Sequence, residues 1–192
     1  MTDLNGLIQR WQAGDERAAE AIYNQFRGTT FGLAMALLSN AADAEEVTQD
    51  SLTYALTHID KYDGTRAKFT TWLHTITVSR CRNKRRRRLL PTLPFLAWFN
   101  SGGDVAVPTP SPERQAIETA IRDEVWQAIQ TLSHPLREAV VLRYWTDYTY
   151  QEMADILGCT SRAARSRVQS AHQRLAPMLA QNESIILEEK SP

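Results

Sequence analysis

Apolar residues recur at three- and four-residue spacing through nearly the whole chain, and over no useful length do they alternate in the two-residue rhythm of a strand. Leu4, Leu7, Ile8 and Trp11 share one helical face. After a break at Gly14–Asp15, Ala18, Ala19, Ile22, Tyr23 and Phe26 share another, and a further helix covers Thr30–Leu38. Asp43 reads as an N-cap with Glu46 in the capping-box position, ahead of an inward stripe of Val47, Ser51, Tyr54, Ala55, His58 and Ile59. Asp63–Gly64 marks a turn in the loop Lys61–Lys68. Phe69, Trp72, Leu73, Ile76 and Arg80 then begin a helix that ends in a basic run. Farther on, Ile117, Ile121, Val125, Ile129 and Leu132 predict a helix from about Glu113, and Pro135 can open another through Leu136, Ala139, Val140 and Arg143. Two helices follow, Tyr150–Leu157 and Ser161–Leu175. The fold class is all-α.

The rhythm is interrupted once. Between Leu89 and Pro112 stand Pro91, Pro94, Pro108, Pro110 and Pro112 with Gly102–Gly103, too many breakers for a regular helix. The predicted architecture is therefore two small helical bundles, residues 1–88 and 113–182, joined by a Pro/Gly-rich linker at 89–112 and followed by a tail at 183–192. Each half has its own apolar stripes. Few contacts are expected across the linker, and each half is expected to fold alone. Phe95, Leu96, Trp98 and Phe99 give the linker an apolar patch, either a local cap on one bundle or a surface for something else.

Formal net charge is zero, which taken alone argues against a nucleic-acid binder, but the charges are sorted into blocks. Arg80–Arg88 reads RCRNKRRRR with no acid, and Arg162–Arg174 holds four arginines and no acid. The acids concentrate in Asp43–Asp50 and Glu113–Asp155. Such segregation suits partners of both signs. Cys81 and Cys159 are the only cysteines and form no CxxC or Cys/His pair at ligand spacing, so neither a metal nor a cofactor is expected. His58, His74, His134 and His172 are scattered, which sets aside a nuclease or other enzyme needing a convergent catalytic cluster. The segment Met1–Glu20 lacks a basic start followed by an apolar run, and Phe31–Leu38, the longest apolar stretch, is too short to span a bilayer. The expected place is the cytoplasm, with reduced thiols and no direct membrane insertion.

Residues 149–175 carry the most information. Thr149 and Glu152 form a capping box, Ala154 is small where crossing helices approach, and Gly158 can take positive φ at a helix end. Thr160 or Ser161 can cap the next helix, whose inner stripe is Val168, Ala171 and Leu175. This layout fits a helix-turn-helix, with Arg162, Arg165, Ser166, Arg167, Gln169 and Ser170 outward as groups that read bases or hold phosphates. A plain helical hairpin with a solvated basic face fits it too. In the first half, Glu45, Glu46, Gln49 and Asp50 cluster outward, as a solvated helix start or as a docking surface for a basic partner. The helix FTTWLHTITVSRCRNKRRRR pairs aromatic with cationic residues, as single-stranded nucleic acid requires, although Phe69 and Trp72 equally suit a core.

Taken together, these segments resemble the extracytoplasmic-function sigma factors. DAEEVTQDSLTYAL is similar to the family's polymerase-docking helix. KYDGTRAKFTTWLHTITVSRCRNKRRR is similar to its −10 loop and melting helix, and LSHPLREAVVLRYWTDYTYQEMADILGCTSRAARSRVQSAHQRL to its −35 reader. The resemblance implies a bacterial, cytoplasmic, non-enzymatic factor that binds core RNA polymerase and promoter DNA, serves a stress or envelope response, and is controlled by an anti-sigma factor. It implies that Asp43, Glu45, Glu46, Gln49 and Asp50 face polymerase. Asp63, Gly64, Thr65 and Arg66 would receive a flipped −10 base, with Phe69, Trp72, Arg80, Arg82, Lys84 and Arg85 along the strand-opening surface. Thr160, Ser161, Arg162, Arg165, Ser166, Arg167 and Gln169 would lie at the −35 groove. Ser79 and Asn83 stand where the family has Asn and Asp, and Arg162, Ala163 and Ala164 replace its Gly, Thr and Val. A helix-turn-helix regulator acting without polymerase is the alternative, and it leaves the acidic and aromatic-basic helices of the first half unexplained.

Overall fold

The computed structural model describes residues 4–89 and 124–188, with side chains through 87 in the first stretch and through 180 in the second. Every regular element among them is helical. Helix α1 (Leu4–Gln12) buries Leu7 and Ile8 and stops before Gly14, whose φ is +92°. Asp15 caps α2 (Glu16–Leu38) by accepting from the Arg17 amide at 3.0 Å, and Arg10 reaches back to the same carboxylate at 2.6 Å. The two helices expected on either side of Gly28 are one: the Thr29 and Thr30 hydroxyls turn inward to the Phe26 carbonyl and the helix runs on to a left-handed Ser39. Helix α3 (Ala41–Thr57) starts before Asp43, because Asn40 is the cap and accepts from the Asp43 amide at 2.9 Å. Asn caps as well as Asp, and starting there seats Ala44 and Val47 in the core. A 3₁₀ turn, Ile59–Lys61, leads into the loop before α4 (Phe69–Leu89).

In the second half, residues 124–131 form α5 and α6 is His134–Tyr144, with Pro135 in its first turn. Arg137 is buried and closes the turn between them by donating to the Gln130 and Leu132 carbonyls. Helix α7 (Tyr150–Leu157) has the expected capping box: the Glu152 amide donates to Thr149 Oγ1 and Glu152 accepts from the Thr149 amide at 3.0 Å. Gly158 sits at φ +65°, and α8 (Ser161–Glu188) runs past the expected end at Leu175, through Pro177. Ala128, Leu132, Leu136, Val140, Ala171 and Leu175 form the core of this half. The apolar linker residues Phe95, Leu96, Trp98 and Phe99 lie outside the described residues.

The expectation of two bundles sharing few contacts is corrected. Leu33, Leu37, Val47, Val78 and Cys81 of the first half belong to one apolar cluster with Leu142, Met153, Ile156, Leu157 and Val168 of the second. Helix α4 packs on α7 and α2 packs on α6. Periodicity identifies the apolar face of α2 and α4 but not what covers it, and each of these helices is apolar toward both its own bundle and the other. Polar links reinforce the seam: the Ser39 hydroxyl bonds Gln130, and the Tyr148 hydroxyl meets His74 Nδ1 at 2.9 Å.

A shared core makes unfolding a shared event. Thermal unfolding should appear as one calorimetric transition, and Leu37→Ala and Leu142→Ala, each in a fully buried position, should both lower its stability by about 2–5 kcal/mol. Two resolved transitions, each moved by only one of the substitutions, would mean that the bundles are thermodynamically separate.

Candidate nucleic-acid interface

Of the acidic set on α3, Glu46, Gln49 and Asp50 are exposed and Glu45 is half-buried. Arg27 pairs with Glu45 at 2.8 Å and, with Gln49 donating beside it, holds that carboxyl below the usual carboxylate range. Asp43 is the exception. It is only 4% exposed, faces Lys84 at 3.4 Å and does not belong to the docking surface assigned to it. The displaced cap explains this: with Asn40 starting the helix, position 43 falls on the inner side of the first turn.

The loop residues Asp63, Gly64, Thr65 and Arg66 are all exposed. Asp63 accepts from the Thr65 hydroxyl at 2.7 Å and the Thr65 amide at 2.9 Å, which fixes the turn and holds its carboxyl below the ordinary value. Phe69, assigned to the strand-opening surface, is instead core. It is 2% exposed and packs against Phe26, Tyr62 and Trp72 with ring centroids 5.0, 5.4 and 5.8 Å away. Phe69 opens α4 on the face turned toward α2, so burial decides between its two readings. Trp72 is half-buried beside Tyr62 and keeps an outer edge.

The basic end of α4 is already engaged within the chain. Arg80 faces Asp50 at 3.5 Å and lies over the Tyr54 ring. Lys84 joins Glu46 at 2.5 Å as well as Asp43. Arg82 and Arg85 both reach Glu138 on α6, at 2.7 and 2.5 Å, and Arg82 also donates to the Leu157 carbonyl. Four cations of the basic run therefore have carboxylates of their own, while Arg86 and Arg87 stay exposed without one among the described residues. Glu138, 2% exposed, was missed by sequence reasoning. The signal that could have found it is the unbroken run Ala139–Leu142, which covers all sides of a helix and marks α6 as enclosed.

In the helix-turn-helix, Thr160 caps α8 by accepting from the Ala163 amide at 3.2 Å, while the half-buried Ser161 bonds Gln151. Ala164, Val168 and Ala171 are buried behind the helix, leaving Arg162, Arg165, Ser166 and Gln169 exposed and Arg167 half-buried. The Arg165 guanidinium lies 4.9 Å from the Tyr150 ring centre and that of Arg143 lies 5.3 Å away, so Tyr150 orients the outward arginine. Among the described residues no His, Cys, Asp and Glu side chains converge in a group able to hold a metal, and no helix is long and apolar enough to cross a membrane. Burial, followed by the nearby Glu138 charge, pushes the Cys81 thiol up to about 12 despite Arg85.

Buried in the seam against Tyr148, His74 makes stability depend on pH. Burial lowers its pKa from 6.5 to about 4, and its Nε2 meets no hydrogen-bonding group among the described residues. The unfolded chain takes up the proton near 6.5 and the folded chain resists it. The neutral imidazole thus has no effect above that pH and costs stability as pH falls from 6.5 toward 4, by on the order of 3 kcal/mol. His74→Gln should remove this slope. Urea titrations at neutral pH and near pH 4.5 should show the gap between wild type and variant shifting by about 2 kcal/mol in the variant's favour on acidification. A gap that stays constant would mean that His74 is not held neutral.

Comparison with known proteins fits this geometry. Residues 22–89 match the model described as Sigma-70 region 2, and residues 122–175 the model described as Sigma-70, region 4. RNA polymerase sigma-H factor of Pseudomonas aeruginosa is 29% identical over 174 residues, covering 88% of this chain and 90% of that protein. ECF RNA polymerase sigma-E factor of Haemophilus influenzae is 27% identical over 180 residues, covering 91% and 94%. Two solved structures share the fold, each with a TM-score of 0.63. One is CnrH in complex with the cytosolic domain of CnrY, at 20% identity over 98% of this chain and 100% of that one. The other is the sigma factor RpoE of Bartonella quintana in complex with the anti-sigma factor NepR, at 23% identity over 84% and 96%. A regulator with only the helix-turn-helix would have no use for the region 2 match that covers α3 and α4. With a region 2 match over its first half, a region 4 match over its second and relatives aligned along most of their length, the chain belongs to the sigma-70 family, as an RNA polymerase sigma factor of the extracytoplasmic-function group.

Proposed function

We propose that this sigma factor docks on core polymerase through the outer face of α3 and reads its promoter at two points, the −35 element through α8 and the −10 element through the loop before α4 and α4 itself. The observation that carries the reading is α8: a capped recognition helix whose inner stripe is buried and whose outer face holds Arg162, Arg165, Ser166 and Gln169 free of any carboxylate ion pair among the described residues. Thr160, Ser161 and Arg167 flank that face and suit phosphate contacts. Asp63, Gly64, Thr65 and Arg66 form an exposed loop whose turn Asp63 fixes in advance, which suits it to receive a flipped base. Trp72, Arg80, Arg82, Lys84 and Arg85 continue from it along α4, with Phe69 supporting them from the core.

Residues 1–88 then serve docking and melting and residues 113–182 upstream reading, with 89–112 as their connection and 183–192 as a tail. The chain acts in the bacterial cytoplasm by binding rather than by catalysis, in a stress or envelope response. An anti-sigma factor is the natural regulator, since both structural neighbours were solved with a second protein and one of those is named an anti-sigma factor.

Run-off transcription with purified core polymerase tests the whole reading: added protein should give a discrete transcript that core alone does not. Reversing Glu46 and Asp50 together to Lys should abolish capture of core polymerase while leaving the helical circular dichroism intact, because the ion pairs lost are surface pairs worth little. Undiminished capture would remove α3 as the docking face. Arg165→Ala should weaken the −35 interaction by about 1–3 kcal/mol and relax base preference at one position. A loss spread evenly over all sequences, with a shallower salt dependence, would reassign Arg165 to the backbone.

A further inference from the structure

The cations proposed for the strand-opening surface do not wait empty. Arg82 donates from Nη2 to Glu138 Oε2 at 2.7 Å and from Nε to both carboxylate oxygens at 3.2 Å, while Arg85 donates to Oε1 at 2.5 Å. Two guanidiniums converging on one pair of oxygens is the donor arrangement that a phosphate takes. The carboxylate comes from α6, in the other bundle, and its side chain is 3% exposed. The residual donors go to the Leu157 carbonyl and, from Arg85, to the Leu37 carbonyl at 3.5 Å.

We infer that Glu138 is an internal competitor for promoter phosphate: it latches α6 onto α4, and α4 engages DNA only after the latch has released. The inference rests on the reading of α4 as the −10 helix. Its charge balance favours exchange. One carboxylate faces two guanidiniums, so the pair keeps a net positive charge that a run of phosphates satisfies better than Glu138 does. Glu138 and Arg85 are shielded from water and salt while Arg82 keeps an exposed side, and removing the carboxylate leaves two cations facing a neutral group in the seam. The apolar contacts of the seam give the closed state further weight. DNA affinity measured on the free chain is therefore the open chain's affinity multiplied by the fraction of molecules that are open. By reciprocity, DNA that binds only the open chain must increase that fraction.

Cys81 reports the opening. It is fully buried in the cluster that joins the bundles, whereas Cys159 is only half-buried and is removed as a second reactive thiol by Cys159→Ser. In that full-length background, Glu138→Gln should speed labelling of Cys81 by a disulfide reagent at least about tenfold. It should also tighten binding of a fluorescent oligothymidylate single strand by a similar factor, read by anisotropy. Oligothymidylate at saturation should itself speed Cys81 labelling in the Glu138-containing chain. Unchanged labelling in a folded Glu138→Gln chain overturns the latch and leaves the α4 reading standing. Faster labelling with no gain in oligothymidylate binding overturns the competitor role and takes the α4 reading with it. Should the variant lose its helical circular dichroism, the Glu138-containing chain decides: binding of the strand without faster labelling sinks the proposal.

Discussion

Helix α6 is buried from Leu136 through Leu142 without a break, so it has no face to give to water. Leu136 and Val140 turn toward α8 and the core of the second half, while Val141 and Leu142 enter the cluster that reaches Leu33 and Val78. A helix enclosed in this way dictates its surroundings. Something from the first half must cover the side that α8 leaves open: α2 packs there, while α4 packs on the adjoining α7. Each large apolar side chain sealed there contributes about 1.5–3 kcal/mol relative to exposure. The seam between the halves is therefore a piece of core, and the position of every charged residue near it follows from that enclosure.

Glu138 sits in the middle of this buried run, where an unpaired carboxylate would not be tolerated. Arg82 and Arg85 supply the pairing, and through them the basic end of α4 is drawn under α6. The remaining crowding of cations is relieved outward, toward Glu46 and Asp50 on α3. Zero net charge thus has a structural meaning: the acidic block of one helix and the basic block of the next lie side by side. The outer pairs are exposed and salt-screened and can exchange partners at little cost, whereas Glu138 and Arg85 are shielded from solvent.

Features decided within one or two turns of chain were legible in the sequence. The Thr149–Glu152 capping box, the left-handed Gly158, the cap at the start of α8 and its buried stripe all depend on neighbours within four residues, and all stand where the spacing put them. The acidic set failed at one residue for a local reason as well, because two good caps, Asn40 and Asp43, lay three residues apart and the earlier one won by seating more apolar surface. Phe69 and Glu138 were not legible from spacing, since which side of α4 faces α2 and what meets α6 are settled by packing between segments far apart in the chain, as Phe26 with Phe69 and Arg82 with Glu138. The seam itself belongs to this second kind: Leu37 and Val78 announce that they are buried, not against what.

The two surfaces proposed to read DNA are consequently unequal in this arrangement. On α8, Arg162 and Arg165 are exposed, and the contact that orients Arg165 is a ring, which holds a guanidinium in place without neutralising it. On α4, Arg80, Arg82, Lys84 and Arg85 are paired with carboxylates, one of which is out of reach of solvent. An approaching duplex therefore meets outward arginines without carboxylate partners along the proposed −35 helix, but on α4 only at its far end, Arg86 and Arg87. If Glu138 acts as inferred, upstream contact precedes melting for an electrostatic reason: phosphates held by α8 stay near the seam, and their raised local concentration is what lets them displace a carboxylate that dilute DNA would not.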